Sequence, residues 1–160
     1  MLMFTGLCVR QDGSLKGRSD MDDVHVLAAL INGEAAGSDR ETKIMVGSSA
    51  LKRLAANKPE EFGSTLQEVA QKGYYTVKDQ NEPFKQAVTG NFPDKKAENA
   101  FKESLSIASG LIKGGIEQKN VMFYFKPSEE TKMRKKGSKV FNFSAVKPSD
   151  SVGGYNTYTY

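Results

Sequence analysis

Cysteine and histidine are nearly missing from this 160-residue chain: Cys8 and His25 are the single examples of each. A lone cysteine excludes an intramolecular disulfide, and one cysteine with one histidine cannot build a Cys/His metal site. The acidic residues form no clustered motif for an all-carboxylate site either, so neither a metal nor a cofactor is expected. No apolar run approaches the roughly 20 residues that a membrane span requires, and no internal repeat marks a solenoid or propeller. Residues 1–9 are apolar, but no basic residue precedes them and Arg10, Gln11 and Asp12 close the stretch without a small-residue cleavage site. A secretion signal is therefore not expected.

What remains suits one globular domain, with 38% hydrophobic and 26% charged residues. The net charge of +4 favours anionic surroundings without naming a partner. Residues 1–21 include the turn-rich QDGSLKGRSD and read as an N-terminal arm. Residues 22–146 read as the main domain and 147–160 as a tail, either loose or a docking strand.

Within that domain the spacing predicts a helix over 22–35, broken at Gly37, with Asp20, Asp22 and Asp23 favourable at its start. A second helix follows, with Ser38 and Glu41 as a capping box and Ile44, Gly47, Ser48, Leu51, Leu54 and Ala55 on one face. Small residues at Gly47, Ser48, Ser49 and Ala50 predict close packing. A short helix is expected over 64–71, loop with some helix over 79–93, and a long helix over 94–113 ended by Gly114 and Gly115. Three aromatic, β-prone runs, YYTV at 74–77, VMFYF at 121–125 and KVFNF at 139–143, predict a small antiparallel sheet. The Lys-rich stretch 126–138 would connect two of its strands. The expected fold class is α+β, mainly α: a lysozyme-like helical lobe with a small antiparallel sheet flanking a groove.

The most informative segment is 27–53, LAALINGEAAGSDRETKIMVGSSALKR. Ile31, Leu30 and Leu27 lie three, four and seven residues before Glu34, so Glu34 shares a face with an apolar stripe. A carboxyl desolvated in this way has its pKa raised, as a general acid near neutral pH requires. The same spacing also fits an ordinary Glu at a fraying helix end. Gly33, Ala35, Ala36 and Gly37 around it would let a bulky substrate approach.

From Glu34 onward this block resembles the N-terminal signature of the SleB-type cell wall hydrolases, the spore-cortex-lytic family that has phage-encoded members. Glu34, Ala35, Gly37, Glu41, Val46, Leu51 and Arg53 fall at matching offsets of a pattern E-A-x-G-E, E-G-Q, V, L-N-R. Downstream, Gly73-Tyr74-Tyr75-Thr76-Val77 is similar to its G-x-F-[ST], residues 97–110 to a helix ending in Gly, and residues 122–127 to an aromatic run before N-P. Residues 137–141 are similar to its G-x-H-x-F. Ser38, Lys52 and Lys139 stand where the family has Glu, Asn and His.

The resemblance implies a peptidoglycan-cleaving enzyme acting on the bond between N-acetylmuramic acid and N-acetylglucosamine, with Glu34 as catalytic acid. Hydrolysis usually needs a second carboxyl group. Glu41 and Asp39 are explained by helix capping, and Glu60, Glu61, Glu68 and Glu82 lie in polar contexts. A lytic transglycosylase needs only one, which serves as acid and then base while the muramic 6-hydroxyl attacks its own anomeric carbon. Tyr74, Tyr75, Tyr124 and Phe125 are candidates to line the substrate cleft, although alternating aromatics in short strands also serve as core. Thr76 is a candidate hydrogen-bond donor beside Glu34, or a simple strand residue.

The expected partner is the glycan strand, reached from the cytoplasm after lysis or by delivery in a virus particle. The alternative is a virion structural or assembly protein that keeps the fold without activity and contacts other virion proteins through the tail. His25 lies nine residues before Glu34 and half a turn out of phase, which removes it from the same cleft. Cys8 reads as a structural thiol. Lys132, Arg134, Lys135, Lys136 and Lys139 form a solvated loop or a surface for nucleic acid or an anionic wall polymer; no nucleic-acid module accompanies them.

Overall fold

The computed structural model describes residues 22–160, so the arm and Cys8 lie outside the described residues. The chain is mainly helical, with one small antiparallel sheet. In order it forms α1 (Asp23–Ala35), α2 (Arg40–Ala55), α3 (Pro59–Phe62), α4 (Leu66–Gly73), α5 (Tyr75–Asp79), α6 (Glu82–Thr89) and α7 (Lys95–Lys113). Then come β1 (Phe123–Phe125), α8 (Pro127–Lys136), β2 (Lys147–Pro148) and β3 (Asn156–Thr159). Among the described residues no helix is long and apolar enough to cross a membrane.

α1 is the axis of the helical lobe. Asp22 caps it by accepting from the Val24 N–H, and every residue from Val26 to Gly33 is buried. Its sequence, VLAALING, is apolar all round, and it packs against α2, α4, α5, α6 and α7. A single apolar stripe is therefore the wrong description. Asn32, the buried polar residue of this helix, donates to Pro83 O at 2.7 Å, which offsets the cost of desolvating its amide.

α2 begins one residue later than the capping-box reading placed it. Asp39, not Ser38, is the cap and accepts from the Thr42 N–H at 2.8 Å, and Glu41 pairs instead with Lys119 at 2.6 Å. The small residues of α2 do bring helices together: a Cβ on Gly47 would stand 2.5 Å from Leu111 Cδ1 of α7. Nearby, Lys43 is buried (2% exposed) and its Nζ lies 2.7 Å from the 40%-exposed Glu103.

This pair is asymmetric. Glu103→Ala strands an ammonium inside the protein and is expected to cost about 2–3 kcal/mol, discounted for the partner's exposure. Lys43→Met keeps most of the volume and returns Glu103 to water, at a cost of about 1 kcal/mol or less. Urea unfolding of both variants checks the order, and equal losses would show that the charge pair does not decide it.

The sheet differs from the expected one. Its order is β1-β3-β2, with Phe123 opposite Tyr158 and Tyr124 opposite Thr157. Of the three β-prone runs only 123–125 is a strand. YYTV is helical: Tyr74 caps α5 and Tyr75–Asp79 forms one turn between α4 and α6. KVFNF is turn and 3-10 helix; Phe141 packs edge-on and Phe143 at a tilt against Phe125, with centroids 5.0 and 5.6 Å away. The sheet is completed by the tail, whose β3 is the central strand. The Lys-rich stretch is not a connection but α8.

Candidate active site

Between the helical lobe and the sheet lies a cleft of about 610 Å³, within the range of ligand-binding sites. It is lined by Glu34, Arg53, Tyr74, Tyr75, Thr76, Tyr124 and Phe125, and closed on one side by α8 and Val140. All six residues singled out from the sequence therefore meet there, although only Tyr124 and Phe125 come from a strand.

Glu34 reaches the cleft because it stands at the C-terminal end of α1, where the buried axis comes out of the lobe. Because α1 is buried all round from Val26 to Gly33, it is this position at the helix end that lets Glu34 leave the lobe. Burial raises its pKa above the usual glutamate value. Polar contacts from the hydroxyl and backbone amide of Thr76, a hydrogen bond from Tyr124 and the charge of Arg53 oppose that rise without cancelling it. The Tyr124 hydroxyl donates to Glu34 Oε2 at 3.4 Å. Burial, followed by the neighbouring carboxylate, holds the Tyr124 hydroxyl well above its ordinary pKa, so it remains a donor at neutral pH.

Thr76 is beside Glu34 because α1 lets it approach. A Cβ on Gly33 would fall 1.9 Å from Thr76 Cγ2, so glycine is required for this packing. Asn81 fixes the arrangement: its side-chain NH2 donates to Gly33 O at 2.8 Å and to Thr76 Oγ1 at 3.3 Å, while its carbonyl caps α6 at the Phe84 N–H. With its oxygen accepting from Asn81, the Thr76 hydroxyl keeps its own hydrogen to donate to the carboxylate of Glu34.

Tyr74 and Tyr75 differ in kind. Tyr74 is buried, and its hydroxyl lies 2.6 Å from Ser49 Oγ. Ser49 donates to Val46 O at 2.8 Å, so Tyr74 is the donor of the pair. Tyr75 is 78% exposed and presents its ring at the cleft. Phe125 is half-buried, with its ring held by Phe141, Phe143 and Tyr158. Of the four aromatics, Tyr74 serves mainly as wall, Tyr124 contacts Glu34, and Tyr75 is the most exposed ring, with Lys78 Nζ 5.5 Å from its centroid.

Arg53 belongs to the site, although the sequence reading gave it no role there. It is 9% exposed at the end of α2. Its Nε donates to Met122 O at 2.9 Å and its Nη1 to Gly73 O at 3.3 Å. The guanidinium lies over the rings of Tyr74 (4.6 Å) and Phe123 (5.1 Å). It thus ties the start of β1 to the turn before Thr76, the two segments that supply the donors around Glu34. Its only sequence signal was the match of an Arg to the family pattern.

Glu129 also belongs to the site, in a stretch whose sequence predicts a connection rather than a helix. It lines the cleft at the start of α8, and its Oε2 accepts from the Lys126 N–H at 3.1 Å. Glu41 and Asp39 do not line the cleft. His25 is half-buried near the start of α1, its Nδ1 3.6 Å from Asp22. Comparison with protein-family models, curated proteins and solved structures finds no match to this chain.

Proposed function

We propose that the protein is a peptidoglycan-degrading enzyme that cleaves the bond between N-acetylmuramic acid and N-acetylglucosamine, as a lytic transglycosylase with Glu34 as acid and base. One observation carries this reading. A single half-buried carboxyl with a raised pKa opens on an aromatic-lined cleft, with Tyr124 and Thr76 as donors beside it. Arg53, the cation that acts on it, is already held by two carbonyl oxygens and does not neutralise it by direct pairing.

The raised pKa enlarges the protonated share of Glu34 over that of a solvated glutamate, and the protonated form donates to the glycosidic oxygen as it leaves. The resulting carboxylate is stabilised by Tyr124 and Thr76, and accepts the proton of the muramic 6-hydroxyl as that oxygen closes on the anomeric carbon. One carboxyl then completes the cycle and no water is consumed. Tyr75 offers a face for sugar stacking.

The alternative, a structural protein that keeps this fold without activity, gains little from the geometry. Glu34 is not sealed beneath packed side chains, and β3, in the tail expected to dock on a partner, is paired on both sides within the chain. The test is the clearing of a suspension of purified peptidoglycan. Wild type should clear it and Glu34→Gln should not; equal clearing by both would remove Glu34 from the chemistry.

A further inference from the structure

α8 shows two working faces. Glu130 and Arg134, four residues apart, turn to the sheet: Arg134 Nη2 lies 3.0 Å from Glu130 Oε1, and Tyr158 and Asn156 of β3 donate to the same carboxylate. Burial alone would raise the pKa of Glu130, but these hydrogen bonds outweigh it and hold it below the ordinary value. The clamp fixes the rotation of α8 about its axis. The residues then left facing the cleft are Glu129, Lys132, Met133 and Lys136, at i, i+3, i+4 and i+7.

The charges at the cleft are not equally available. Glu129 accepts from the backbone of Lys126, and Arg53 is bound to two carbonyl oxygens. Lys132 and Lys136, one helical turn apart, are exposed, and neither has an ion pair or hydrogen bond among the described residues. Basic residues near the end of a helix complement its dipole, and Arg134 and Lys135 already do so. The dipole does not choose a side of the helix. The clamp does, and it sets both lysines on the wall of the cleft that holds Glu34.

A glycan of N-acetylated sugars offers hydroxyls and amides but no charge. In stem-bearing peptidoglycan the muramic lactyl carboxyl is taken up in an amide bond, and the free carboxylates of the strand are those of the peptide stems. We propose that Lys132 and Lys136 form a specificity site for stem carboxylates, making the substrate class stem-bearing anionic glycan rather than an uncharged amino-sugar polymer. This inference rests on the peptidoglycan reading of Glu34.

The test separates binding from cleavage. Full-length Glu34→Gln protein is sedimented with insoluble peptidoglycan, either native or with its carboxyls converted to neutral amides by carbodiimide and methylamine. Native material should be retained about three- to tenfold more tightly than blocked material, as expected for two exposed charge contacts. Adding Lys132→Gln and Lys136→Gln should weaken binding to native material by the same factor and abolish the difference between the two. Lys113→Gln with Lys135→Gln, the same charge change away from the cleft, should leave the difference intact.

Equal binding to native and blocked material would overturn the proposal, even if wild type still cleaves the glycan. Selective, lysine-dependent binding with no cleavage by wild type would keep the site and remove the enzymatic reading. Displacement from native material by a DNA duplex, through the same two lysines and at lower concentration than a stem peptide, would also overturn it.

Discussion

Glu34→Gln is expected to lower the rate of glycan cleavage about a thousandfold, within the range that a positioned acid and base contributes, and to leave the fold intact. Gln keeps the size of the side chain and can still accept from Tyr124, but it carries no proton to give and takes none up. Stability provides a second, independent readout. The pKa of Glu34 is raised by burial in the folded state, so between its unfolded and folded values the folded protein binds more protons than the unfolded chain. Stability contributed by the protonated form is complete below the unfolded value and is lost as pH rises through the folded one. Wild type and Glu34→Gln should therefore differ least in Tm below about pH 4, with the balance shifting toward the variant as pH rises to 8. Activity should fall on the alkaline side as the acid is lost. A Tm gap that does not change with pH would mean that Glu34 is solvated like any surface carboxylate.

Arg53→Ala should be the most damaging substitution for stability, at about 3–4 kcal/mol. The side chain is buried, it satisfies the carbonyl oxygens of Met122 and Gly73, and its plane separates Tyr74 from Phe123. Alanine leaves a buried carbonyl without its donor and a void between two rings. Arg53→Lys should recover less than half of that loss, since an ammonium cannot reproduce the planar fork that spans two carbonyls and two rings. Removing the positive charge also withdraws one influence that lowers the pKa of Glu34. Where Arg53→Lys folds, its activity should respond to pH much as wild type does. In any folded neutral variant, such as Arg53→Met, the alkaline limb should move upward. Urea unfolding and pH–rate profiles of the three variants check both points. A loss below 1 kcal/mol for alanine would show that the two segments are held by other contacts.

The helices that support the site were legible because their signals are local. Asp22 and Asp94 cap α1 and α7, Gly114 takes a left-handed conformation at the end of α7, and the apolar spacing between these limits is regular. The segments around the cleft were misread for identifiable reasons. YYTV has strong β-propensity, but Tyr74 must send its hydroxyl to Ser49, and Val77 must enter the core under α1. One helical turn does both, so tertiary packing overrides propensity.

α8 is polar all round and gives no hydrophobic period, yet Pro127 in its first turn, Glu129 and Glu130 after it, and Gly137 at its end are ordinary helix signals. In the tail, Asn156–Thr159 alternates, with Thr157 and Thr159 buried; threonine hides this pattern from a search for apolar alternation. Arg53 and Glu129 acquire roles only through what folding brings to them. Glu34, Tyr124 and Thr76 are candidates in the sequence, and so is burial as the cause of a raised Glu34 pKa; what the sequence hides is how Gly33 and Asn81 place Thr76 beside it, and that α1 is buried all round from Val26 to Gly33.

The decisive measurement is mass spectrometry of the soluble fragments released by wild-type protein from purified, insoluble peptidoglycan. Fragments ending in 1,6-anhydromuramic acid are the expected result, with none from Glu34→Gln. Reducing ends would mean that water is the acceptor, and would direct attention to Glu129 as the second carboxyl of the cleft. A folded wild-type protein that releases no fragments from walls of several chemotypes would contradict the assignment of Glu34 as acid and base.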